Sequence, residues 1–152
     1  MKSALNKPEE FEQYYQALVR DYKLFETHRD VYIIAILLGF MSGQKKKLGK
    51  TGGEAIKEHL FVNDKDLLDI VAVLDNNDIK ILLKENKDEK MAIFEEYAYK
   101  GIEILVNNVF VGMHTDIDKL VEYVLSYAPD NKGDKVDLSD MFEQLAQSLQ
   151  ED

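Results

Sequence analysis

Between Val31 and Leu38 the chain runs through eight apolar residues without a break. A bilayer span needs about 20, so the run is a buried helix and not a membrane anchor. A helix apolar on all sides must be covered on all sides. It therefore predicts a central element with the rest of the chain wrapped around it. Asp30 is the expected N-cap, since a short oxygen-bearing side chain satisfies the first free N–H groups. Gly39 then either ends the helix or lets another backbone approach closely.

The flanking pattern is helical throughout. Pro8 suits the first turn of a helix. Phe11, Tyr14, Tyr15, Leu18, Val19, Tyr22 and Phe25 follow at spacings of three and four, which makes one apolar face. A short helix is expected over residues 53–59. Asn63 or Asp64 is expected to cap another, carrying Leu67, Leu68, Ile70, Val71, Val73 and Leu74. Asn76-Asn77-Asp78 is a turn signal. Ile79–Leu83 reads equally as a helical turn or a strand. The longest pattern runs over 88–109 with the stripe Met91, Phe94, Ala98, Ile102, Leu105 and Val109. Gly101 interrupts it at a cost of about 1 kcal/mol relative to alanine, which implies close packing or a break. Further helices are expected from Asp116 and from Asp137, the last with Leu138, Met141, Phe142, Leu145 and Leu149 on its face. The expected fold is mainly α: a compact single-domain bundle of about six or seven helices. A minor strand pair has room near Ile79–Leu83, and residues 134–152 form a peripheral docking helix.

At 152 residues the chain suits one domain. An apolar fraction of 45% argues against disorder for its bulk. The absence of cysteine rules out disulfides, thiol catalysis and Cys-ligated zinc. It fits a reducing cytoplasm, and the opening MKSALNKPEEFEQYY has no apolar core of a signal peptide. The net charge of −10 opposes broad attraction to nucleic acid or to an anionic membrane. That charge is unevenly placed. Residues 41–60 hold five Lys and two Glu, whereas residues 114–152 hold three Lys and ten acids.

The basic segment GQKKKLGKT, from Gly43 to Thr51, invites a phosphate-loop reading. The loop requires G-x-x-x-x-G-K-[ST] after a strand, so that backbone N–H groups wrap the phosphates. Here five residues separate the glycines, and the preceding element is helical. Val71–Asp75 imitates the partner metal site, again in a helical pattern. An NTPase is therefore not expected. Lys45, Lys46, Lys47 and Lys50 keep three readings: a solvated loop, a contact to nucleic-acid phosphate, or a contact to an acidic protein surface. Phosphate contacts of this kind would be salt-sensitive and would not read sequence.

The histidines His28, His59 and His114 form no metal-ligand spacing and read as surface or boundary residues. Glu95-Glu96 and Asp116/Asp118 read as helix surface and cap. Ser42 and Thr51 have no visible base partner. No catalytic residue, metal or cofactor is expected. Tyr97, Tyr99 and Lys100, in the stretch YAYKG, read either as a tight helix crossing or as a recognition surface beside the Lys segment. With Phe142 they are the candidate partner-binding residues.

Three segments resemble one family. They are YKLFETHRDVYIIAILLGFMSGQKKKL, LFVNDKDLLDIVAVLDNNDIKILL and FEEYAYKGIEIL, in that order between Tyr22 and Leu105. The resemblance is to bacterial Dnd system-associated proteins, which accompany DNA phosphorothioation and its linked restriction genes. It implies a non-enzymatic accessory role in defence, with other proteins of that system as partners and DNA as a further contact through the Lys segment. It supplies no active-site residues. The alternative is a protein–protein adaptor or homo-oligomer that never touches DNA, with the acidic C-terminal helix docked on a basic surface.

Overall fold

The computed structural model describes residues 2–111, 114, 115 and 125. Four α-helices stand among these residues: α1 (Glu12–Gln16), α2 (His28–Ser42), α3 (Lys65–Asn76) and α4 (Lys87–Val109). Short β1 (Ala4–Leu5) pairs antiparallel with β2 (Ile56–Lys57), and β3 (Phe110–Val111) pairs with β4 (His114–Thr115). The expected helices at 116–125 and 137–149, and the docking segment 134–152, lie outside the described residues.

The described residues hold four α-helices, against the six or seven expected for the chain. Local chemistry explains the difference. The stretch from Pro8 to Tyr22 is not one helix. It passes from a 3-10 turn (Glu9–Phe11) through α1 to a π turn (Ala17–Asp21). The helix expected over residues 53–59 does not form before Glu58. Their apolar Ile56 is used edge-on against Leu5 in the β1–β2 pair, and a 3-10 segment Glu58–Asp64 follows. Ile79–Leu82 is a 3-10 turn and not a strand, capped by Asp78, whose carboxylate accepts the Lys80 N–H at 2.9 Å. The strand pair thus forms at residues 4–5 and 56–57. Asn77 takes the left-handed conformation at φ 54° and closes α3, as the turn signal implied.

α2 begins one turn earlier than expected. Thr27 is its N-cap and accepts the Asp30 N–H at 3.2 Å. Gly39 does not end it; Gly43, at φ 73°, does. Val31, Tyr32, Ala35, Ile36 and Leu38 are all buried. On α4 the expected stripe holds, with Met91, Phe94, Ala98, Ile102 and Leu105 buried against α2.

The crossing of these two helices sets the fold. A Cβ on Gly101 would stand 1.6 Å from the Ala35 carbonyl oxygen. One on Gly39 would stand 2.1 Å from the Tyr97 carbonyl oxygen. Each helix therefore presents a glycine to the other's backbone. The pairs Ala35–Gly101 and Gly39–Tyr97 run in opposite senses, so the helices are antiparallel. This is the close approach that both glycines signal. Each buried aliphatic side chain along this seam contributes about 1.5–3 kcal/mol.

Glu95 also departs from expectation. It is 4% exposed and not a surface residue. Its carboxylate accepts the Asn6 N–H at 2.7 Å and pairs with the Lys2 ammonium. It thereby fastens the N-terminal strand to α4. No described helix is long and apolar enough to cross a membrane.

Candidate functional site

After Gly43 the basic segment runs as a strap over α4 and returns along the N-terminus. The Lys46 N–H donates to the Glu96 carbonyl at 3.1 Å. The Glu9 N–H donates to Lys50 O, and the Gly52 N–H to Lys7 O, both at 3.0 Å, around a Pro8–Thr51 bridge. Gly52 is required here, because a Cβ would meet Glu9 Cα at 2.7 Å. The basic segment is thus stitched down on two sides.

Most of its charge is already matched. Lys45 Nζ lies 3.1 Å from Asp75 Oδ1 and 5.6 Å from the centre of the Tyr97 ring. Lys46 Nζ lies 2.9 Å from Glu103 Oε2 and 4.6 Å from the Tyr99 ring centre. Lys100 Nζ reaches the other Glu103 oxygen at 2.9 Å. Lys50 pairs with Glu9 at 3.0 Å. Lys47 is exposed and, alone of the four strap lysines, has no acidic partner among the described residues. Hydrogen bonds from Lys46 and Lys100 hold the Glu103 carboxyl below its usual range.

The aromatic pair differs in role. Tyr97 is only 6% exposed, and its hydroxyl donates to Asp75 Oδ1 at 2.5 Å. Burial first, then this bond, pushes its ionisation far up. Its ring meets Phe40 edge-on at 5.7 Å. Tyr99 is half-buried, bonded to Glu10, with its ring under Lys46. The structure therefore brings Lys45 to Tyr97 and Asp75, and Lys46 to Tyr99, Glu103 and Lys100, with Lys50 further along the strap. Phe142 lies outside the described residues.

A second cluster was not legible in the sequence. Lys7 is 2% exposed, a rare state for an ammonium group. Its Nζ lies 2.9 Å from His28 Nδ1 and 5.1 Å from the centre of the Tyr15 ring. Glu12 Oε2 stands 2.8 Å from it as an ion pair without hydrogen-bond alignment. Glu12 in turn packs on Gly53, where φ is +68° and a Cβ would lie 2.3 Å from the carboxyl carbon. Burial, then the Lys7 charge, lowers the His28 pKa, so the ring is neutral near pH 7. An ammonium has only protons to offer, so Nδ1 accepts and Nε2 carries the ring proton. The Tyr15 hydroxyl beside them is fully buried with no hydrogen-bond partner. Lys7, Glu12 and His28 border a cleft of about 660 Å³, also lined by Arg20, Glu54 and Lys57. Lys7, Glu12 and Tyr15 lie near one another in sequence, but His28 meets Lys7 across 21 residues and Gly53 is more distant still.

No group of three or more potential metal ligands occurs among the described residues. The strap follows a helix, so it lacks the strand-to-loop geometry of a phosphate-binding NTPase. The family model for DNA sulphur modification system-associated protein 4 matches residues 5–141. The chain belongs to this family. The match spans the α2–α4 crossing, the strap and the cleft, and it extends beyond the three segments that carried the resemblance. No curated protein and no solved structure matches the chain.

Proposed function

We propose that this protein is a non-enzymatic accessory component of a defence system linked to DNA sulphur modification, acting by contact with the system's other proteins. Family membership over residues 5–141 carries the reading. The geometry favours protein contact over DNA contact. Lys45, Lys46 and Lys50 are each matched by a carboxylate, so a phosphate would have to displace Asp75, Glu103 or Glu9 first. Among the described residues, only Lys47 of the four strap lysines lacks a carboxylate partner. Meanwhile Val62, Leu74, Ile79 and Leu83 are large apolar side chains left 48–71% exposed on and around α3. Apolar exposure of that kind marks protein-binding surface when it is contiguous.

Pull-down from a host carrying the whole modification gene cluster tests this. The expected result is co-purification of a modification or restriction protein, lost in an Ile79→Asp/Leu83→Asp variant that keeps wild-type helicity. Recovery of no system protein would overturn it. DNA is the second reading. A low-salt anisotropy titration in which Lys47→Gln abolishes duplex binding would favour it over the first.

A further inference from the structure

The cleft beside Lys7 has features that a solvated crevice does not need. We propose that it is a binding site for a phosphate-bearing anion, seated between Arg20, Lys57 and the His28 ring. This inference stands apart from the protein-contact reading, since it concerns a different face and a small ligand.

Three observations converge. First, the free charges are of the required sign. Arg20 and Lys57 line the cleft and have no acidic partner among the described residues, and Glu54 is the single opposing carboxylate without one. Lys7 and Glu12 are spent on each other. Two unmatched cations suit a dianion, and a guanidinium matches phosphate oxygens in a fork.

Second, the hydrogen-bonding sense is fixed. Because Nδ1 of His28 accepts a hydrogen bond from the Lys7 ammonium, the remaining ring nitrogen is a donor. His28 is also the first residue of α2, a 15-residue helix whose opening N–H groups have no partner within the helix. Thr27 satisfies only that of Asp30. The helix end thus adds donors and a favourable dipole on the same wall. Anion recognition asks for donors, and these walls supply them from three elements.

Third, the floor is built at a cost. A buried ammonium is held by an ion pair, a ring nitrogen and an aromatic face. An apolar side chain of similar volume would satisfy stability as well or better. Lys7 instead sets the tautomer of His28. At about 660 Å³ the space exceeds a bare phosphate and falls in the range of nucleotide-sized ligands.

The test uses the full chain. Nuclear magnetic resonance of the His28 ring and calorimetry follow titration with pyrophosphate, then AMP. Saturable binding with a shift at His28 is expected. The Arg20→Gln/Lys57→Gln variant alters two exposed residues without an acidic partner among the described residues, so its fold is retained; it should weaken binding at least about tenfold, because two charge-assisted hydrogen bonds are lost. Lys47→Gln, the loss of one exposed charge elsewhere, should change affinity less than about twofold. Absence of saturable binding, or equal weakening by Lys47→Gln, overturns the site. Competition by a 5′-phosphorylated but not a 5′-hydroxyl oligonucleotide would assign the phosphate to nucleic-acid ends. Competition by AMP alone would assign it to a free nucleotide. Either result supports the site, and neither bears on the pull-down.

Discussion

Replacing Gly101 by alanine adds one methyl group where the structure has no room for it. The new Cβ would lie 1.6 Å from the Ala35 carbonyl oxygen, 2.3 Å from its carbon and 2.7 Å from its Cα. Real Cβ atoms essentially never come within 3.0 Å of such neighbours. The obstacle is backbone in mid-helix, so no side chain can swing aside. The helices must part by about 1.4 Å, taken from that limit and the present distance. A radial gap of about 0.5–1 Å already forfeits a quarter to a half of a dispersion contact. Ile102, Leu105, Ile36 and Leu38 would all lose contact along the seam. Overpacking of this type costs about 1–3 kcal/mol and sometimes more, while alanine returns about 1 kcal/mol of helix propensity. The backbone clash places Gly101 at the upper end of that cost, so a net loss of about 2 kcal/mol is expected. With a urea slope of about 1–3 kcal/mol/M, the midpoint should fall by about 0.7–2 M. Gly39→Ala, whose clash is milder at 2.1 Å, should lose less. Gly49→Ala meets nothing within 4 Å and should leave the midpoint near wild type. Unfolding followed by circular dichroism reads all three. A Gly101→Ala midpoint equal to or above wild type would mean that propensity wins and that the backbones do not touch.

Two further outcomes follow from buried polar groups. Glu95→Gln should cost about 2–3 kcal/mol, because the variant keeps at most part of the Asn6 bond and leaves Lys2 unpaired; limited proteolysis should then cut the first few residues sooner than α4. His28 should make stability pH-dependent. Its folded pKa lies below the unfolded value of 6.5, so the unfolded chain binds the extra proton. Stability is full above about pH 6.5 and is lost as pH falls through the window below it. Urea midpoints at pH 7.5 and 5.5 should therefore converge in His28→Asn relative to wild type. An unchanged gap between them would remove His28 from the acid limb.

The helical class, the buried run at 31–38, the α4 stripe and the Asn77 turn were legible because each is a local, periodic signal. The two glycines were legible as close approaches, yet only the structure shows that they answer each other. The helix count failed where a short segment is decided by its partners. Ile56 joins Leu5 in a strand pair, and the residues around Ala17 relax into a π turn. The basic strap looked free because its counter-ions, Asp75, Glu103 and Glu9, lie 30 or more residues away along the chain. Glu95 read as surface for the same reason. The Lys7–His28 cluster left no trace, since a lysine beside a proline gives no sign of burial.

The strap between Gly43 and Gly53 has one consequence for how the molecule can respond. Its first half carries Lys45–Lys47 across α4, and its second half hydrogen-bonds to residues 7–9 and ends at Gly53, a wall of the cleft. One short length of backbone therefore borders both surfaces. A partner that lifts the strap from α4 would pull on the seat of Glu12, and hence on Lys7 and His28. Linkage makes the effect mutual: whatever free energy a cleft ligand adds to hold Gly52 and Gly53 in place, a partner must overcome to move them.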